Sequence, residues 1–362
     1  MKAAVCRAFG ETLTLEDVIL RAPGPGEVQV AIEAVAICHS DIGYLDGIWP
    51  SRLPAVYGHE AAGRVTALGA GVQGFRPGDA VVVTMIRACG QCRVCRTGKP
   101  FLCAAPYDRG NGVLSLADGT VVEHGLATGA FAESCVVHAS QIARVPDDLP
   151  MELGALLACG VITGTGSVIN TAQVTPGSQV VVVGAGGVGL NVIQGARLAG
   201  AAKVIAIDLA TDKLAAALEF GATDVLAADM KGLRRAVMAL TDGQGADFVF
   251  VAVGVIAAYQ QAPSLACKGG MVVMVGMPPS GARMEVEPVI MAATAQTLKG
   301  SFMGASVVQR DIPYLVEMWR QGRLKLEELI TGRYRFDQIN EAIASTRGGH
   351  VRRNVILMEK RR

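Results

Sequence analysis

Three short segments hold the side chains best suited to chemistry: Cys38 in ICHSD, His59 and Glu60 in YGHEAAG, and Cys159 in LLACGVITGTG. Singly, each has an ordinary role: a buried cysteine, a hydrogen-bonded histidine, a surface glutamate. Together, two thiolates and one imidazole are the protein ligands of a catalytic zinc that keeps its fourth position open. Each segment lies beside a glycine-rich stretch, read here as a turn, where side chains converge. A second set is local. Cys89, Cys92, Cys95 and Cys103 lie in CGQCRVCRTGKPFLC, with Gly90, Gly98 and Pro100 supplying turns. Short C-x2-C steps bring thiolates to about 2.3 Å from one metal ion. Four thiolates leave that metal no open position, so its role is structural. Disulfides are the competing reading, but nine cysteines is an odd number and no secretory signal is evident.

The run GAGGVG over 184–189 matches G-x-G-x-x-G. It follows the apolar strand QVVVV and opens a helix, which is the context that gives the pattern meaning. Gly184 makes the turn, Gly186 lets the backbone approach a pyrophosphate, and Gly189 permits close helix–strand packing. The helix N-terminus then faces the phosphates. Asp208 ends the next strand, about 20 residues on, and is placed to accept hydrogen bonds from a ribose diol. Leu209, Ala210 and Thr211 follow it, with no arginine to receive a 2′-phosphate, so NAD is favoured over NADP. Lys213 is a further candidate for the ribose.

The elements that must position these groups fall into two textures. Residues 1–150 are β-rich, with strands over 27–37, 61–69 and 79–83 separated by turns such as PGPGE and FRPGD. From about 160 to 300, buried apolar strands at 179–184, 203–208, 247–254 and 269–276 alternate with helices at 187–199 and 211–219. That alternation predicts a parallel sheet covered on both faces. The last stretch holds amphipathic helices in PYLVEMWRQG and FDQINEAIASTRGG and a strand in NVILME.

With 362 residues, about two domains are expected. The net charge of +1 has mixed signs and points to neither nucleic acid nor an anionic membrane. No apolar run reads as long enough to cross a bilayer, the EKRR terminus reads as a solvated tail, and the expected location is the cytoplasm.

The combination CHSD, GHEAAG, CGQCRVC with a distal cysteine, ACGVITGTGSVINTA and VVGAGGVGL resembles the zinc-dependent medium-chain alcohol dehydrogenases along essentially the whole chain. TDGQGAD, GGHVRRNVIL and the long stretch between Cys103 and Phe131 are similar to the liver-type and thiol-adduct formaldehyde dehydrogenase class. The resemblance implies an α/β fold: a GroES-like β-rich catalytic domain (1–160 and 304–362, with a zinc lobe at about 88–104) and a doubly wound Rossmann domain (161–303). It implies two zinc ions per subunit, one catalytic and one structural.

By the same resemblance, Cys38, His59 and Cys159 bind the catalytic zinc, Glu60 ligates it transiently, and Asp41 orients His59. Ser40 takes the alcohol proton and passes it to a cofactor ribose hydroxyl. His39 and Arg353, or Arg352, meet the pyrophosphate held at the Gly184–Gly189 turn, Gly187 included. Thr163 and Val188 pack on the nicotinamide, Val275 and Met277 offer backbone groups to its carboxamide, and Val253 is a further cofactor-binding residue. The implied reaction is reversible hydride transfer between a primary alcohol and NAD, with zinc as Lewis acid.

Two departures stand out. Many relatives carry a relay histidine five residues after the first zinc cysteine; here that position is Gly43, and a Gly43→His variant with the parent's pH–rate profile would count against a Ser40 relay lacking a base. Glutathione-dependent relatives carry acidic residues before GHE, whereas this chain has GIWPSRLP. Trp49, Met85 and Phe131 are therefore expected to line an apolar pocket for medium-chain or aromatic alcohols. The alternatives are oxidation of a mycothiol or glutathione adduct of formaldehyde, an acceptor-dependent enzyme with tightly bound nicotinamide, and a non-catalytic scaffold. A homodimer through the edge strand in GGMVVMVGMPPSGARMEVEP is expected, with a homotetramer as the alternative.

Overall fold

A computed structural model describes residues 1–359; Lys360, Arg361 and Arg362, most of the expected EKRR tail, lie outside the described residues. The chain divides into one unit of Met1–Gly160 with Val307–Arg362 and another of Val161–Ser306. Residues 304–306 thus fall in the second unit.

In the first unit, an N-terminal pair, Lys2–Val5 and Thr14–Asp17, runs antiparallel. The main sheet has the order Ile142–Arg144, Ala80–Val83, Glu60–Leu68, Glu27–Ala36, Arg353–Leu357, Ile330–Arg335, with Ser134–His138 also paired to Glu27–Ala36. The strand Glu27–Ala36 buries every second side chain along most of its length, the period of a pleated strand with one face on a core. Ala36 at its end pairs with Glu60 on one side and Val355 on the other, and Ile37 N–H bonds Asn354 O at 3.0 Å. Residues 38, 60 and 353, remote in sequence, therefore emerge at one end of one sheet. The helix read as PYLVEMWRQG begins earlier, at Val308. Asp311 Oδ2 accepts from Val307 N–H at 2.8 Å and fixes that start, so Pro313 lies inside the helix.

The second unit has a six-stranded parallel sheet ordered Asp224–Ala227, Lys203–Asp208, Gln179–Val183, Ala246–Val251, Ala266–Met274, Thr297–Gly300. The reversal beside the first strand in sequence is the doubly wound Rossmann arrangement. Val180, Val181 and Val182 have no exposed surface, and fully burying each such side chain contributes about 1.5–3 kcal/mol. The helices Gly187–Leu198 and Thr211–Glu219 sit where the apolar pattern put them. One expectation is corrected. The GGMVVMVG strand is no edge, because Thr297–Gly300 pairs along its outer side. The short, polar TLKG segment was not legible as a strand from periodicity.

A second correction concerns Met151–Ala172, a continuous helical run of 22 residues with mean hydropathy 1.5. It does reach bilayer length. However, 89% of its apolar window is buried inside the protein, so it is a core helix by burial.

Candidate functional site

The register of Glu27–Ala36 delivers the chain to Cys38, which caps the helix His39–Leu45 with extended φ/ψ of −102° and 151°. Asp41, at the third helical position, accepts from Cys38 N–H through Oδ2 at 3.1 Å. Its Oδ1 accepts from Gly58 N–H at 3.1 Å and faces Nδ1 of His59 at 2.9 Å. Gly58 has φ +90°, and a Cβ there would sit 2.6 Å from the backbone nitrogen of Phe131, so only glycine delivers the chain to His59 this way. Cys159 is not beside a turn, as its glycine-rich context implied. It lies in a π-helical turn, Leu157–Val161, inside the long helical run. Such widened turns recur at functional sites because they re-aim one side chain without ending the helix.

These elements bring one ligand atom each from Cys38, His59, Glu60 and Cys159 within 4.8 Å of one another, all four residues buried. His59 Nε2 has no hydrogen-bond partner. An orphaned buried nitrogen is costly, and with Nδ1–H directed at Asp41 the Nε2 lone pair points toward the two sulfurs. This donor set fits zinc.

The electrostatics agree. The thiol of Cys159 hydrogen-bonds to Cys38 and, with His59, holds Cys38 well below the ordinary thiol range despite burial. Cys159 is pushed well up, by Cys38 first and burial second. Burial opposes charge on His59, yet Asp41 and Cys38 outweigh it and raise its pKa well above the usual value. Burial pushes Glu60 up to about 8, only partly offset by Arg353.

Arg353 was expected at the coenzyme. It is 5% exposed, its Nε lies 3.5 Å from Glu60 Oε2, and its Nη2 has no hydrogen-bond partner. The reason is register: pairing of Arg353–Leu357 beside Glu27–Ala36 carries it under the cluster, where a buried guanidinium needs a carboxylate. Nothing in the sequence signals this pair. Arg352 Nη1 instead donates to Glu328 O at 2.9 Å.

The second cluster, Cys89, Cys92, Cys95 and Cys103, also brings its sulfurs within 4.8 Å. Backbone N–H groups of Cys92, Cys95 and Cys89 donate to the sulfurs of Cys89, Cys92 and Cys103 at 3.2, 3.4 and 3.3 Å. Backbone donors from Cys95 and Ala104 bring Cys92 down to about 6 and those from Gln91 and Cys92 lower Cys89, whereas burial and the neighbouring Cys92 push Cys95 up to about 12. None of the nine cysteines is in a disulfide.

In the Rossmann unit, Gly184 has φ +95° and a Cβ there would lie 2.2 Å from Val253 Cγ1. A Cβ on Gly189 would lie 1.8 Å from Gly184 O, whereas one on Gly186 would meet nothing within 4 Å. Two glycines are thus required by packing, and the third leaves open space at the N-terminus of the helix Gly187–Leu198. Asp208 Oδ2 accepts from Ala185 N–H at 2.8 Å, tying the carboxylate to the glycine turn, and Oδ1 accepts from Ala210 N–H at 3.1 Å. Thr163 Oγ1 donates to the Met303 sulfur at 3.7 Å. Met303 was not anticipated; it stands in a left-handed turn with Gly304 and Ala305, at φ 47°, 62° and 50°. Val188 and Lys213 are half-buried, Val275 is buried, and Met277 is exposed.

Of the three residues expected to line the substrate pocket, Phe131 is fully buried. It belongs to the β-core, and its N–H bonds Tyr57 O at 2.8 Å. Trp49, Met85 and Ser40 are half-buried, and His39 is exposed. Gly43 has a steric cause, since a Cβ there would lie 2.6 Å from Trp49 Cζ3.

Comparison with known proteins agrees with this architecture. Residues 24–147 match the alcohol dehydrogenase GroES-like domain, and 187–320 match the zinc-binding dehydrogenase domain. The chain is 36% identical over 369 residues to the NDMA-dependent alcohol dehydrogenase of Amycolatopsis methanolica, covering 98% of each chain. The structure of an alcohol dehydrogenase zinc-binding domain protein from Burkholderia ambifaria superposes with TM-score 0.95, 34% identity and 99% coverage of both chains. Benzyl alcohol dehydrogenase from Acinetobacter calcoaceticus gives 0.92, 31% and 99% of both. The protein is an oxidoreductase that belongs to the zinc-dependent medium-chain alcohol dehydrogenase family.

Proposed function

We propose that the protein catalyses reversible hydride transfer between primary alcohols, medium-chain or aromatic, and NAD, using zinc held by Cys38, His59 and Cys159. The observation that carries this is the convergence of their ligand atoms within 4.8 Å around an imidazole nitrogen that has no other partner. Zinc held there would act as a Lewis acid toward an alcohol or carbonyl oxygen, and a nicotinamide at the glycine turn would supply the hydride acceptor.

The chain's own residues have distinct tasks. Asp41 holds the His59 tautomer that leaves Nε2 free to ligate. Cys38 and Cys159 would supply thiolates to the zinc they hold, and Arg353 balances the adjacent carboxylate of Glu60. Ser40, one turn from Gly43 on the same short helix, would take the alcohol proton and pass it to a cofactor ribose hydroxyl. Asp208 keeps lone pairs for a ribose diol, and its charge disfavours a 2′-phosphate. Cys89, Cys92, Cys95 and Cys103 would hold a second, structural zinc.

The Amycolatopsis relative's name supports a second reading, an acceptor-dependent enzyme. Zinc-loaded protein should be assayed on benzyl alcohol, medium-chain alcohols and formaldehyde, with NAD or NADP, with and without glutathione or mycothiol, and with an artificial electron acceptor. Turnover of benzyl alcohol with NAD is expected. Turnover only with the artificial acceptor supports the second reading, and a large gain in formaldehyde oxidation from thiol shifts the substrate. No alcohol oxidation under any condition overturns the proposal. Exposed Val286, Val289 and Ile290 support self-association as a homodimer, against which a monomer in light scattering would count.

A further inference from the structure

The stretch between Cys103 and Phe131 includes a buried carboxylate that the chemistry above does not use. Glu123, on the strand Val121–His124, is 4% exposed. A carboxylate buried to this degree needs partners, and its two hydrogen-bond donors, Ser51 and Arg52, belong to one loop. Its Oε1 accepts from Ser51 Oγ at 2.8 Å, and its Oε2 accepts from Arg52 N–H at 2.9 Å. Glu123 N–H donates to Pro54 O at 2.8 Å. Tyr57 O–H donates to Ser51 Oγ at 2.8 Å, which directs the serine proton at the carboxylate. Arg109 Nε stands 3.4 Å from Oε1 and supplies the counter-charge.

The clamped loop carries Trp49. The indole lies against Gly43, meets Tyr44 edge-on with centroids 5.4 Å apart, and Tyr44 stacks on Tyr57 at 5.8 Å. Arg109 closes the circuit, its guanidinium 5.9 Å from the Tyr44 ring centroid. Residues 46–48 and 50 are exposed; the N–H groups of Asp46, Gly47 and Ile48 bond back to the helix His39–Leu45 and Asp46 pairs with Arg347, and strand pairing resumes at Ala55. Without the clamp at 51 and 52, such a segment samples several positions.

We propose that Glu123 is a positioning residue for alcohol binding. By clamping Ser51 and Arg52 it fixes Trp49, and through Trp49 it sets the preference for aromatic over small alcohols. This rests on the reading that Trp49 lines the alcohol pocket.

Two measurements test it. Trp49 and Trp319 are the chain's two tryptophans, so a Trp319→Phe background reports Trp49 alone. There, Glu123→Gln keeps one acceptor and turns the other into a donor, so Ser51 Oγ–H or Arg52 N–H loses its acceptor and the charge facing Arg109 is gone; it is expected to raise acrylamide quenching of Trp49. Unchanged quenching overturns the clamp, whatever the substrate. In zinc-loaded enzyme, the ratio of kcat/KM for benzyl alcohol to that for ethanol should fall about tenfold in Trp49→Ala and by a comparable factor in Glu123→Gln, within the range for lost pocket contacts. The double variant should match Trp49→Ala alone, and multiplying effects overturn the proposal. If Trp49→Ala leaves the ratio unchanged while quenching still rises in Glu123→Gln, the pocket reading has failed and the clamp has not. Should Glu123→Gln fold poorly, Ser51→Ala replaces it in both experiments.

Discussion

Asp41 and His59, neither with any exposed surface, face each other with 2.9 Å between Oδ1 and Nδ1. The same carboxylate accepts from the backbone N–H groups of Cys38 and Gly58. One side chain therefore ties the two segments that deliver the first two ligands, and it selects the imidazole tautomer.

Asp41→Asn keeps the volume and one acceptor but loses the charge. Zinc affinity at the Cys38 site should fall by about 10–100-fold, the usual loss when an outer hydrogen bond to a ligating histidine is removed. Chelator competition with mass-spectrometric zinc counting checks this. Unchanged affinity would mean that sheet register alone presents His59.

The four-cysteine lobe is a separate metal site. Cys92→Ser should reduce bound zinc by one equivalent while leaving the Cys38 site loaded. Zinc analysis of that variant beside Cys38→Ser separates the two ions, and retention of both by Cys92→Ser would count against a four-thiolate site.

The glycines of GAGGVG should separate into two kinds. Gly189→Ala places a Cβ 1.8 Å from Gly184 O and should cost about 3 kcal/mol of stability through overpacking. Gly186→Ala meets no protein atom within 4 Å, so stability should change by only about 0.5 kcal/mol. NAD binding should nevertheless weaken in Gly186→Ala. Denaturant unfolding and NADH fluorescence titration distinguish the outcomes, and equal destabilisation by both changes would refute the assignment.

Installing the missing relay histidine needs two changes. Gly43→His alone collides with Trp49, 2.6 Å from the new Cβ, and should destabilise by about 1–3 kcal/mol. Its pH–rate profile would then report displaced aromatic packing as well as proton transfer. Gly43→His with Trp49→Ala relieves the contact and is the informative variant. A thermal scan showing no loss in the single variant would contradict the steric account.

His124 predicts an acid limb in stability. Burial lowers its pKa to about 4, and it stays neutral between Tyr107 O–H at 2.7 Å and Thr128 O at 2.7 Å. The unfolded chain takes up this proton near 6.5, so between about 6.5 and 4 the unfolded state binds more protons. Stability therefore falls as pH falls through that window, by about 3 kcal/mol in all. His124→Gln should flatten this limb in unfolding curves measured from pH 7 to 4, and an identical slope would exclude His124 as its origin.

Whatever depends on near neighbours was legible in the order of residues alone. The C-x2-C steps, the glycine turn after QVVVV and the continuous apolar strands of the Rossmann unit are local patterns, each fixed by a few consecutive dihedral angles and side chains. Several things lay beyond that reach. The strand Thr297–Gly300 has no apolar signature, so the true sheet edge was hidden. Cys159 looked like a turn residue because glycines surround it, yet burial of Met151–Ala172 favours a helix that widens at that point. Phe131 looked like a pocket residue and is core. Most of all, the join of Cys38, His59 and Arg353 was set by ladder register, where Ala36 pairs with both Glu60 and Val355. Register depends on which distant strands share a core, so only the folded chain could place Arg353 against Glu60 or Trp49 over Gly43.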